Sequence, residues 1–256
     1  MRIDHRLDGP ADAPVLVLAN SLGTELELWA PNLPAWTGQF RVLRYDQRGH
    51  GGSDVPSEPY AVEALGRDVL ELLDSIGAER ASFCGLSLGG ATGMWLAANA
   101  PDRMDRLVLA CTSARFGEPE PWLERARIVR SEGMGAIVDR QLERWFTPGF
   151  AEERPEVVAC YRRMLLSTPA EGYARGCEAV AAWDFRASLE AIRAPTLVVA
   201  GEDDPATPPE DGSFLAERIA GARLVVLPAA AHLANVQQAE SFAELVTRHV
   251  AFQEVA

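Results

Sequence analysis

The feature that most constrains this chain is a set of short apolar runs that do not alternate. They read "PVLVLAN" (14–20), "RVLRYD" (41–46), "RASFCG" (80–85), "RLVLACT" (106–112), "PTLVVAG" (195–201) and "ARLVVLP" (222–228). A strand with one wet face alternates polar and apolar residues, whereas a strand covered on both faces does not. The six runs therefore predict a sheet buried on both sides. Helical patterns lie between most of them. Over 62–76, Val62, Leu65, Val69, Leu72, Leu73 and Ile76 recur at helical spacing. The stretch 88–101 reads as a helix stopped before Pro101, and 241–253 as an amphipathic terminal helix. Strands alternating with helices imply α/β architecture, a mainly parallel sheet with right-handed crossovers. The residues around His5 predict a further strand at an edge of that sheet.

One region breaks the rhythm. From 118 to 183 no buried strand pattern occurs, and the segment is polar and helical, with Trp122, Trp145 and Trp183. A structureless connection of about 65 residues is foreign to a compact domain. The expected division is a core of 1–117 and 184–256 with an inserted helical cap of 118–183.

The chemistry centres on "FCGLSLGGATG" (83–93). Ser87 lies in Gly85-Leu86-Ser87-Leu88-Gly89, where a strand pattern meets a helix pattern. That is the context of a G-x-S-x-G nucleophile elbow, whose small residues let strand and helix approach around a serine in strained backbone. A serine hydroxyl is a weak nucleophile at neutral pH and needs a base. Of the four histidines, His5 falls in the edge strand and His249 in the last helix. His50 falls in "DQRGHGGSD", where Asp46, Arg48 and the glycines suggest a hydrogen-bonded tight turn. His232 follows the last strand run, in "PAAAHLANV", at the sheet end where open α/β proteins place their sites. The base needs an orienting carboxylate. "VVAGEDDPATPP" offers Asp204, with Asp203 as the alternative. The resulting order, Ser87…Asp204…His232, is that of α/β-hydrolases. An oxyanion hole would use the Leu88 N–H, next after the serine, and the Leu22 N–H from "ANSLGT" at the end of the first run.

These stretches together resemble the α/β-hydrolase fold superfamily over nearly the whole chain. "NSLGT" followed by Trp29 resembles the 3-oxoadipate enol-lactonases, as do "TSARFGEPEPWLERAR" (112–127), "RWFTPGFAEERPEVV" (144–158) and "EGYARGCEAVAAWDFR" (171–186). Two departures stand out. Most relatives in the superfamily carry His-Gly where this chain has Asn20-Ser21, and paired cysteines are common in the family where Gly176-Cys177 stand. The resemblance implies a Ser-His-Asp acyl-enzyme hydrolysis of 3-oxoadipate enol-lactone in aromatic (protocatechuate or catechol) catabolism, with no metal and no organic cofactor.

Such a lactone carries a free carboxylate, and the chain's formal charge is −13. A local cation is then expected to offset long-range repulsion. Arg115, three residues past the "RLVLACT" run, is the candidate, ahead of Arg125 and Arg127. Trp122 and Trp145 either wall the pocket or pack the cap on the core. Cys84 and Cys111 read as strand packing. Two other readings stay open: another carboxylesterase, lactonase or perhydrolase on the same triad, or a ligand-binding protein on a hydrolase fold.

Composition narrows the partners. The acidic balance shows no basic patch for nucleic acid. No apolar run approaches a membrane span of about 20 residues, and the polar N-terminus lacks a signal peptide's apolar core. Four cysteines without framework spacing fit reduced thiols in a cytoplasm. Association into a homo-oligomer is compatible with all of this.

Overall fold

The computed structural model describes residues 1–251. Seven strands form one sheet: β1 (His5–Asp8), β2 (Val15–Ala19), β3 (Arg41–Tyr45), β4 (Ala81–Leu86), β5 (Met104–Ala110), β6 (Thr196–Gly201) and β7 (Arg223–Leu227). Their spatial order is β1-β3-β2-β4-β5-β6-β7. Only β1 runs antiparallel, pairing His5 with Tyr45; every other pairing is parallel. Each non-alternating run became a strand, and β4 and β6 are buried at every position. The last run differs. β7 is an edge strand with Arg223 exposed and Val226 39% exposed. An edge strand keeps one side open to water, so continuous apolarity there does not report burial on both faces.

The helices follow the expected periodicity. Val62–Ser75 buries Val62, Leu65, Val69, Leu72 and Leu73 in the core, beside the helix Leu88–Asn99. The pattern at 241–253 is realised as Ala239–Val250, its positions 252 and 253 lying outside the described residues. The helix Leu88–Asn99 is buried almost throughout.

Between β5 and β6 the chain forms five α-helices and no strand: Pro119–Glu132, Val138–Trp145, Pro148–Glu153, Pro155–Ser167 and Ala170–Ala181. Trp183 stacks on Phe185 at 4.8 Å and donates from Nε1 to the Ser113 carbonyl, joining the end of this helical segment to the end of β5. Ala170–Ala181 meets the turn after β3 backbone to backbone: a Cβ on Gly172 would lie 1.9 Å from the Gly49 carbonyl oxygen. No helix among the described residues is long and apolar enough to cross a membrane.

Candidate active site

Ser87 sits between β4 and the helix Leu88–Asn99 at φ 57°, ψ −114°. A non-glycine residue there costs roughly 1–3 kcal/mol and persists only where its surroundings enforce it. The surroundings do. The Ser87 N–H donates to the Ala110 carbonyl at 2.9 Å, and the Ser87 carbonyl accepts from Thr112 Oγ1 at 2.7 Å. The glycines are there for space. A Cβ on Gly85 would lie 2.2 Å from the Gly89 carbonyl oxygen, and one on Gly89 would lie 2.2 Å from the Ala19 carbonyl oxygen. Without side chains at these positions the helix can begin directly on top of β2 and β4, holding the serine at their carboxyl ends.

Asp204 and His232 come from the loops after β6 and β7. His232 Nδ1 and Asp204 Oδ2 are 2.9 Å apart, with both side chains buried. Every oxygen of the carboxylate is used. Oδ1 accepts from the Ala206 and Thr207 N–H groups at 2.8 and 3.1 Å, and Oδ2 accepts from Thr207 Oγ1 at 2.7 Å as well as facing the imidazole. Burial pushes the Asp204 carboxyl upward, but the His232 charge and these hydrogen bonds outweigh it and leave the group below its ordinary value. Asp204 therefore stays ionised and fixes the proton on His232 Nδ1, leaving Nε2 free to accept one. Asp203, the alternative carboxylate, is exposed. The histidine loop is tied to the helical segment: the His232 N–H donates to the Arg144 carbonyl at 3.3 Å and the Leu233 N–H to that of Trp145 at 3.1 Å.

The loop after β2 carries the other half of the site. Its backbone is anchored to the elbow, since the Gly89 N–H donates to the Asn20 carbonyl at 3.0 Å, which also accepts from Gln47 Nε2 at 2.7 Å. The Asn20 side chain donates to the Tyr45 carbonyl and accepts from Trp29 Nε1, both at 2.8 Å. Asn20 and Trp29 thus act together to hold this loop. Gly23 follows at φ +81°, a backbone that a side chain would strain, and its N–H donates to His50 Nε2 at 3.0 Å. Leu22 lies between these two anchors, and a Cβ on Gly176 of the helix Ala170–Ala181 would lie 2.4 Å from its Cδ1. The Leu88 N–H begins its helix and so has no intrahelical acceptor. The tight turn expected around His50 is present: Asp46 accepts from the Leu26 and Gly52 N–H groups, and Arg48 pairs with Asp68 at 2.6 Å.

Ser87, Leu22 and His232 open onto one cleft, together with Ser21, Trp122, Arg125, Gln141, Arg144, Trp145 and Thr207. Trp122 and Trp145, left between wall and packing by the sequence, both line it. Of Arg115, Arg125 and Arg127, the arginines the sequence offers as the carboxylate's cation, only Arg125 lines the cleft. Arg115 is absent from this lining, and its guanidinium pairs with Glu118 at 3.0 Å. Position near a strand end places its backbone at the right edge, but the side chain turns to the adjacent acid. Arg127 is likewise spent on Glu120 and Glu124. Arg125 and Arg144 line the cleft instead. Arg125 stacks over the Trp122 ring at 4.4 Å. Burial, then the positive charges of Arg125 and Arg140, press the Arg144 guanidinium below its ordinary value. Thr207, Gln141 and Arg144 also line the cleft, though no motif marks Gln141 or Arg144. Thr207 alone left a signal, three residues after Asp204 in a turn-forming segment. Cys84 and Cys111 are buried thiols raised by burial, consistent with packing.

Comparisons with known proteins show the family. The family described as the alpha/beta hydrolase fold matches residues 14–239. The chain is 44% identical to 3-oxoadipate enol-lactonase 2 of Acinetobacter baylyi over 94% of its length and 90% of that protein. It is 38% identical to 3-oxoadipate enol-lactonase 1 of the same organism, covering 96% of this chain and 91% of the relative. The crystal structure of the enol-lactonase from Burkholderia xenovorans LB400 superposes with a TM-score of 0.96 at 46% identity, covering 98% of this chain and 96% of that one. This chain therefore belongs to the α/β-hydrolase fold family, on its 3-oxoadipate enol-lactonase branch.

Proposed function

We propose that the protein opens 3-oxoadipate enol-lactone to 3-oxoadipate by acyl transfer through Ser87, with residues 118–183 acting as a cap over the site. The observation that carries this reading is the cleft itself. It joins a strained serine and a carboxylate-held histidine to two guanidiniums, Arg125 and Arg144, in one small space.

His232 Nε2 takes the Ser87 proton as Oγ attacks the lactone carbonyl. The Leu22 and Leu88 N–H groups hold the developing oxyanion, a contribution typically worth about 2.7–4 kcal/mol per donor. Collapse of the tetrahedral intermediate breaks the ring C–O bond. The departing enol oxygen receives the proton from His232, and the enol tautomerises to a ketone. The leaving group stays on the acyl chain because the ester was cyclic. Water, deprotonated by His232, then attacks the acyl-serine; the dicarboxylic keto acid departs and Ser87 regains its proton. Asp204 holds the imidazole orientation through both halves.

Arg125 and Arg144 read the carboxylate that the lactone already bears. A guanidinium matches a carboxylate with two parallel hydrogen bonds. Arg125 is preset by its stack on Trp122, and Arg144 lies at the end of the helix whose carbonyl holds His232. Comparing turnover of the enol-lactone with that of short neutral p-nitrophenyl esters tests the substrate class. A large preference for the lactone supports the reading, and a preference for simple esters overturns it.

A further inference from the structure

A second cleft lies outside the first, between the helices Pro119–Glu132 and Val138–Trp145. Arg125, Gln141 and Arg144 line both clefts; Arg140 lines only the outer one. Exposure falls inward along this row, from exposed Arg140 to half-buried Arg144 and Arg125.

The charges are arranged at a cost. Arg140 and Arg144 stand four residues apart on one helix, where like charges repel. Arg125 faces them from the neighbouring helix, and both it and Arg140 push the Arg144 guanidinium downward. None of the three pairs with a carboxylate among the described residues, in a protein where many arginines do. The one acid on the outer cleft, Glu124, is itself paired with Arg127 at 2.9 Å. Three unneutralised guanidiniums converging in a protein of charge −13 make a local positive field that an incoming anion would relieve.

We propose that this outer cleft is a reception site for carboxylate-bearing substrates. The anion enters between the two helices, meets Arg140 first, and passes inward to Arg125 and Arg144 beside Ser87. Arg140 is thus a specificity-determining residue that never contacts the reacting carbonyl. The inference deepens the enol-lactone reading and rests on the same cleft, but it concerns any carboxylated ester.

The test compares p-nitrophenyl hemisuccinate with neutral p-nitrophenyl butyrate, taking the ratio of their kcat/KM values at low and high ionic strength. In Arg140→Ala the ratio should fall about fivefold at low salt, through KM and not kcat, and its dependence on salt should flatten. Arg140→Glu should lower it further, and Arg140→Lys should keep most of it. An Arg140→Ala ratio and salt dependence equal to those of the unmodified protein would overturn the proposal. So would an equal loss on both esters, which marks a general structural effect. The enol-lactone is assayed alongside. If it is not opened, the substrate reading fails, while the hemisuccinate ratio still decides the reception site.

Discussion

The Gly23 N–H donates to Nε2 of His50 at 3.0 Å, one residue beyond the proposed oxyanion donor Leu22. His50 Nδ1 lies 3.2 Å from the Arg48 carbonyl, so the ring carries its proton there and presents Nε2 as an acceptor. A histidine in a sequence motif of turn residues thereby holds the loop that would bind the oxyanion. His50→Leu removes the acceptor. The expected result is a fall in kcat of about 10-fold or more with KM little changed, because a displaced oxyanion donor is felt mainly in the transition state. Affinity for a trifluoromethyl ketone analogue should fall in parallel. Unchanged kcat would remove His50 from the positioning network.

The same histidine sets a stability window. Burial pushes its pKa down from 6.5 to about 4. Between those values the unfolded chain binds the proton and the folded one does not. Stability from the neutral ring is therefore complete above about pH 6.5 and is lost as pH falls toward 4. Chemical denaturation over this range should show a shallower pH dependence in His50→Leu than in the unmodified protein.

Thr207 donates to Asp204 Oδ2 at 2.7 Å and stands 3.4 Å from His232 Nδ1. Thr207→Val should cost about 1–2 kcal/mol of stability and raise the Asp204 pKa, since that hydrogen bond favours the ionised form. Asp204 has a depressed pKa, so its contribution is present above the ordinary carboxylate value and is lost as pH falls through the folded one. The variant's acid-side loss of stability from this group should therefore be smaller and finish at a higher pH. Asp204→Asn should lower kcat by about 10⁴, through the wrong imidazole tautomer.

Arg125→Ala and Arg144→Ala should each reduce kcat/KM for the enol-lactone by about 10- to 100-fold, the worth of a charged hydrogen bond of roughly 1.5–3 kcal/mol. Arg115→Ala should change it by less than about twofold, since Glu118 occupies that guanidinium. A larger effect from Arg115 would restore it as the carboxylate reader.

Gly89→Ala should fail to fold or lose much of its thermal stability, because its Cβ would press on the Ala19 carbonyl oxygen at 2.2 Å and neither backbone can move without breaking the elbow. A thermal melt decides this.

The residues that were legible in the sequence are those whose role is fixed by local chain geometry. Gly85, Ser87 and Gly89 act within one turn, and the ends of β6 and β7 deliver Asp204 and His232 whatever the rest of the fold does. Choosing Asp204 over Asp203 also followed locally, since only the residue before Pro205 begins the turn that buries its carboxylate. Side chains that depend on distant packing left little trace. Arg144 and Gln141 sit on a helix of the polar segment with no motif, and reach the cleft only because that helix docks on the histidine loop. Arg115 follows a strand end, yet its guanidinium pairs with Glu118, a contact that position alone does not show. His50 stands in a turn motif of its own, and its bond to Gly23 spans 27 residues, beyond the reach of a local pattern.

The most direct test of the central claim follows the enol-lactone itself, by loss of the lactone and appearance of the keto acid, with the unmodified protein and with folded Ser87→Ala. The account predicts rapid opening by the former and only the spontaneous rate with the latter. Opening by Ser87→Ala at the unmodified rate, or a lactone untouched by the unmodified protein, would contradict it.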